Sequence, residues 1–201
     1  MLNITNEISY DSWRKLEYFD RTLLIGELGE QLWIDELKKL VYTRGVKKQN
    51  YQSFGYDISH FNTALREIIK TEVKTQRPNY GGGGWTCYYI ETNNASKTKP
   101  PEFLTHDVDE YIVFDMHEVA FYCYNCKVLR KNINFIVHDE YDGSLGEYFE
   151  FKNTQGSAYG INNIPKTSKI LGFKEKLPCI IPDKYKWLAS HIKRDVEAGL
   201  V

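Results

Sequence analysis

Gly55-Tyr56-Asp57-Ile58, followed by Glu72-Val73-Lys74-Thr75-Gln76, are the two short runs on which the reading of this chain turns. The second lies within residues 66–75 (R-E-I-I-K-T-E-V-K-T), where apolar and charged positions partly alternate, which predicts a strand. Alternate side chains of a strand share a face, so Glu72 and Lys74 project to one side and Val73 to the other. Residues 55–59 predict a second, short strand. If the two pair as a hairpin, Asp57 joins Glu72 and Lys74 in one place. Neighbouring carboxylates repel, and a divalent cation relieves the repulsion. Hard oxygen ligands of this kind, here Asp57, Glu72 and the Val73 backbone carbonyl, suit Mg²⁺, with Mn²⁺ as a substitute, better than zinc. A lysine beside such an ion can orient an attacking water, help deprotonate it, and offset charge on a pentacovalent phosphorane. The ion lowers the pKa of its water and stabilises the developing charge. Asp57, Glu72 and Lys74 are a minimal set for hydrolysing a phosphodiester.

Upstream, residues 11–20 and 22 to roughly 43 read as helical, with Trp33, Ile34, Leu37, Leu40 and Val41 at helical spacing and Gly45 as the stop. Glu30 falls within that apolar arc and Glu27 at its edge. A carboxylate on a buried face costs free energy unless it finds a partner, and a metal or its water in the same site would supply one for Glu30. Residues 46–53 read as a loop. Downstream, residues 76–84 contain Pro78 and four consecutive glycines and predict a loop next to the site. Lacking G-K-[ST], it is no phosphate-binding P-loop. Arg77, Asn79, Tyr80 and Trp85 could touch nucleic-acid backbone or bases from there, and Lys97 and Lys99 from the next connection. Strands are predicted at residues 85–92, 110–115 and 119–124, with a short helix at 126–132. Strand-like pieces follow at 148–151 and 158–161. A closing helix over Asp183–Glu197 lies between Pro182 and Gly199. The order implies a mixed α/β domain over residues 1–201, with its core at about 22–130 and a C-terminal extension at 131–201.

The whole composition agrees. At 201 residues, 42% hydrophobic and 26% charged, the chain can bury a real core and is too balanced for disorder. No run approaches the ~18 apolar residues of a membrane span, and the first ten residues lack the order of a secretion signal. The expectation is a cytoplasmic protein with no membrane association. A net charge of −1 gives no global attraction to polyanions, so nucleic acid would have to meet a local basic surface. The lysines between Lys166 and Lys193 offer one. Cys123-Tyr124-Asn125-Cys126 is C-x-x-C without a second pair, which favours buried thiols over a zinc site. The five histidines fit no catalytic arrangement.

Taken together, G-E-L-G-E at residues 26–30, G-Y-D-I at 55–58 and E-V-K-T-Q at 72–76 resemble the PD-(D/E)XK, restriction-endonuclease-like nucleases, above all phage-type and restriction-associated members. Y-I-E-T at residues 89–92 and D-E-Y-I-V at 109–113 resemble the continuation of that pattern, and the likeness covers about residues 22–130. The Pro that often precedes the Asp is missing, and the tetraglycine run has no counterpart in the family. The resemblance implies a core with a mixed central sheet of four to five strands flanked by helices, acting as a Mg²⁺-dependent DNA endonuclease. By position, Glu30 matches the helical Glu, Asp57 the first metal carboxylate, Glu72 and Lys74 the E-X-K pair, and Gln76 a Gln that often follows it. DNA is the implied partner and a homodimer the arrangement many relatives use. In a phage-encoded protein the setting would be the host cytoplasm. An exonuclease, a junction resolvase, an RNA-cutting enzyme or a non-catalytic nucleic-acid-binding module are the alternatives on the same fold.

Overall fold

A computed structural model describes residues 4–49, 55–76, 87–91, 108–131, 133–141, 144–151, 161–165 and 173–200. Two helices open the chain, α1 (Tyr10–Lys15) and α2 (Tyr18–Lys39). Strands β1 (Thr43–Lys48), β2 (Ile58–Asn62), β3 (Glu67–Gln76), β5 (Glu110–Asp115), β6 (Ala120–Asn125) and β10 (Phe173–Pro178) form one sheet in the order β1-β2-β3-β5-β6-β10. All neighbours in it are antiparallel except β3 and β5, which run parallel. Short helix α3 (Cys126–Lys131) follows β6, and α4 (Asp183–Glu197) follows β10. Strands β4 (Cys87–Glu91) and β9 (Ile161–Pro165) pair with each other, as do β7 (Ile133–Tyr141) and β8 (Ser144–Phe151).

The core explains the placement. Leu24, Ile25, Leu28, Leu32, Trp33 and Leu37 make one apolar stripe on α2. That stripe belongs to the same buried cluster as Ile58, Val73, Ile112, Phe114, Phe121 and Cys123, the side chains that one face of the sheet presents to it. Trp33 meets Phe121 edge-on with ring centroids 5.0 Å apart. Alternation sends Tyr111, Val113, Tyr122 and Tyr124 to the opposite face, where they too are buried. At Gly29 the helix comes so close that an added Cβ would lie 2.1 Å from the Thr75 hydroxyl oxygen of β3.

The α/β class with a mixed, helix-flanked sheet stands, with six strands in place of the expected four to five. The two additions have physical reasons. β1 begins where the helix was expected to end and runs into the expected loop; T-R-G-V-K-K has no apolar alternation, and it is an edge strand, where charged side chains face solvent. Gly45 does not stop a helix. At φ +59° it sits where the β1–β2 register shifts between Arg44 and Lys47, a bulge that calls for a left-handed residue. The helix ends earlier, at Lys39, and Val41 lies exposed beyond it rather than on the apolar face. The second addition, β10, lies at residues 173–178, so the sheet draws on sequence well beyond residue 130. The closing helix has the expected bounds, with Pro182 at its N-cap and Gly199 left-handed at φ +70° just past its end.

Candidate active site

Strands β2 and β3 form a hairpin whose turn is set by Asn62. Its side-chain oxygen accepts from the backbone N–H of Ala64 and Leu65, each at 3.0 Å. The register runs without a slip from Asn62↔Glu67 to Ile58↔Thr71. Asp57 stands just before that ladder, at a bend where its N–H turns to β3 and its carbonyl to β1. The Asp57 N–H donates to the Thr71 carbonyl at 3.0 Å, and the Asp57 carbonyl accepts from Gln49 N–H at 2.7 Å. Asp57 is thus fixed at the mouth of the hairpin by backbone bonds on both sides.

Its side chain is fixed as well. Asp57 Oδ2 accepts from the Val73 N–H at 2.7 Å. The N–H and C=O of one residue in a strand point toward the same neighbour, so the Val73 carbonyl is aimed to the Asp57 side. Val73 and Thr75 face α2, which leaves Glu72 and Lys74 on the other face of β3, together as the spacing predicts. Glu72 is buried, its side chain only 6% exposed, and it is ion-paired to the Lys74 ammonium, whose side chain is 50% exposed. Burial by itself would lower the Lys74 pKa, but the charge of Glu72, with Tyr111 and Asp57 behind it, carries the ammonium well above the ordinary lysine range. Asp57, Glu72 and Lys74 therefore form one electrostatic unit. Two carboxylates that bear on one lysine, with a backbone carbonyl on the Asp57 side, are a donor set that fits a hard divalent cation. Among the described residues no three His, Cys, Asp or Glu side chains converge to hold an ion, so such a site would be completed by the carbonyl and water.

Glu30 arrives from the α2 side. The close approach at Gly29 brings the adjoining turn of the helix down on the sheet, and Asp57 adds to the charge that Glu30 feels. Burial, then the charges of Asp57 and Glu27, push the Glu30 carboxyl above the usual range, against the pull of a lysine. That lysine is Lys48, the last residue of β1, whose ammonium contacts Glu30 at 2.9 Å and also Glu27. The partner that a buried-face glutamate requires is thus an amine of the protein itself. Sequence reasoning missed Lys48 because it treated residues 46–53 as loop; an edge strand paired with the one carrying Asp57 is what delivers it. Gln76 ends β3 half-buried, opposite Asp115 of β5, and its carbonyl accepts from Met116 N–H at 3.0 Å. Arg77, Asn79, Tyr80, Trp85, Lys97 and Lys99 lie outside the described residues.

The expected basic surface of the C-terminal third is largely neutralised where it is described. Lys174 pairs with Glu110, Lys176 with Glu118, Lys184 with Asp35, Lys186 with Asp183 and Lys193 with Glu197. Cys123, Cys126 and Cys179 are buried. His191 donates from Nε2 to the Ile8 carbonyl at 2.9 Å, a structural role. No helix among the described residues is long and apolar enough to cross a membrane.

No family model matches this chain, and no curated protein does. Among solved structures it is similar to the bacterial homing endonuclease I-Ssp6803I, at 17% identity and a TM-score of 0.38, over 53% of this chain and 70% of that one.

Proposed function

We propose that the protein is a metal-dependent nuclease of the PD-(D/E)XK type, cutting DNA phosphodiesters. The observation that carries this reading is the union of Asp57, Glu72 and Lys74 at the mouth of one hairpin, at the motif spacing of that superfamily. Asp57, Glu72 and the Val73 carbonyl would hold Mg²⁺, or Mn²⁺ in its place. Bound there, the ion would supply Lewis-acid polarisation of the phosphoryl group and a more acidic water. Lys74 reaches from the same face with a half-exposed amine, suited to orient the attacking water and to offset charge on the phosphorane. The Val73 N–H holds the Asp57 carboxylate against β3, and Glu30 bears on Asp57 from the helix side. Gln76, at the end of the same strand, would support the site. DNA contacts by residues 77–85 and by Lys97 and Lys99, a homodimer that cuts both strands, and a cytoplasmic setting belong to the same proposal.

Purified protein incubated with plasmid, linear duplex, single-stranded and branched DNA, each with Mg²⁺, Mn²⁺ or EDTA, tests it. Cutting is expected with either metal and none with EDTA. Glu72→Ala and Lys74→Ala are each expected to lower the rate by at least about 10²-fold, the scale set by loss of one preorganised charge-stabilising group. Metal-dependent cutting that survives either substitution would overturn the site. DNA bound but never cut would make the protein a binding module, and cleavage of RNA alone would change the substrate.

A further inference from the structure

On the α2 side of the sheet stands a second group of two carboxylates and an amine: Glu27, Glu30 and Lys48. Glu27 and Glu30 lie three residues apart and so share one face of α2. Glu30 is the more enclosed, 20% exposed against 39% for Glu27. Two neighbouring carboxylates, one of them largely withdrawn from water, need a cation between them. Lys48 fills that position, 2.9 Å from Glu30 Oε2 and in contact with Glu27 Oε2. With the amine in that place, Glu27 and Glu30 would have no room to hold a divalent ion together.

The amine is held there by backbone as well as by charge. Lys48 is paired with Ile58 in the β1–β2 ladder, and the N–H of the next residue, Gln49, donates to the Asp57 carbonyl at 2.7 Å. The bonds that place Asp57 also place the stem of Lys48. Withdrawing this amine breaks two ion pairs. Lys74, by contrast, stands at the exposed rim of the other group, its side chain half-exposed beside the buried Glu72.

We propose that the Lys48 ammonium takes the part of a second divalent cation, so that the protein binds a single ion, at Asp57 and Glu72, and that removing the amine opens a second ion site at Glu27 and Glu30. The inference rests on the nuclease reading above and specifies its metal count. It turns Glu30 from a candidate metal ligand into a carboxylate oriented by Lys48.

The test is a count of bound Mn²⁺ on the full chain without DNA, by titration calorimetry and by the electron paramagnetic resonance signal of free Mn²⁺. Wild type is expected to bind one ion, and so is Lys48→Arg, which keeps the charge. Lys48→Met is expected to bind two, the second lost again in Lys48→Met combined with Glu30→Gln. Two ions on wild type, or a single ion on folded Lys48→Met, would overturn the inference and leave the nuclease reading standing. Zero ions on wild type would refute the metal site itself. Should Lys48→Met not fold, Glu30→Gln alone decides: one ion is expected, and loss of that ion would make Glu30 its ligand and overturn the substitution by Lys48.

Discussion

Gly29 packs directly on β3, and no larger residue fits there without movement. An alanine Cβ would meet Thr75 Oγ1 at 2.1 Å and Phe114 Cβ at 3.6 Å. Overpacking of this kind costs about 1–3 kcal/mol, against about 1 kcal/mol that alanine returns in helix propensity. Gly29→Ala is therefore expected to lower the thermal midpoint, and Thr75→Ala in the same chain, by removing the hydroxyl, to restore most of the loss. A midpoint unchanged in the single variant would contradict the close approach. The candidate site was legible over the same short range. Asp57, Glu72 and Lys74 could be placed together from sequence because strand alternation and one hairpin register fix them, and both are local. The partner of Glu30 could not, because Lys48 lies in a stretch with no apolar pattern to betray a strand.

Helix α4 is tied to the start of the chain by one buried carboxylate. Asp195 has no exposed surface and accepts from Tyr10 Oη and Trp13 Nε1, each at 2.7 Å, with Arg21 at 3.2 Å and Arg14 at 3.5 Å. Trp187 Nε1 adds a bond to the Ile4 carbonyl at 3.0 Å. Replacing Asp195 by Ala strands the Arg21 charge, only 15% exposed, and is expected to cost about 3–5 kcal/mol in urea unfolding. Burial would raise the Asp195 pKa, but the hydrogen bonds from Tyr10 and Trp13 and the two arginine charges outweigh it and hold the carboxyl below the usual range. A carboxylate depressed in the folded state contributes its stability in full above its unfolded value, ~3.9. That contribution is lost as pH falls through the lower folded value. The urea midpoint should fall more steeply below roughly pH 4 in wild type than in Asp195→Asn; equal slopes would remove Asp195 from the acid response. Of the helices in this clasp, α2 was readable from its 3.6-residue spacing and α4 from Pro182 and Gly199 at its ends. Its centre was not, since a lone Asp in an amphipathic helix reads as surface until the residue packed against it is known.

Across the whole molecule, three of the four cysteines report on global integrity. Cys123, Cys126 and Cys179 sit in β6, at the start of α3 and between β10 and α4, all buried. Burial raises the Cys123 thiol and pushes that of Cys179 up to about 11. Because the thiolate is the reactive form, no more than one of the four thiols should react with an aromatic disulfide in the native protein, and all four after unfolding. Fast labelling of two or more in native buffer would show that the sheet opens locally at β6 or β10. The sixth strand went unread from sequence for a reason of the same scale: β10 reaches β6 across nearly fifty residues, and no local pattern announces so distant a pairing.

The parallel contact between β3 and β5 divides the sheet into two antiparallel halves, β1-β2-β3 and β5-β6-β10. Every side chain assigned to the chemistry, apart from those on α2, belongs to the first half, between Lys48 and Gln76. Short-range hairpins close quickly, while a parallel join must bring together strands far apart in sequence. During folding, Asp57 and Glu72 should find each other before the two halves meet, and the crossover that leaves Gln76 and returns to Glu110 closes afterwards. Changes in the length of that crossover would then delay the union of the halves while leaving the spacing of Asp57, Glu72 and Lys74 as the hairpin sets it.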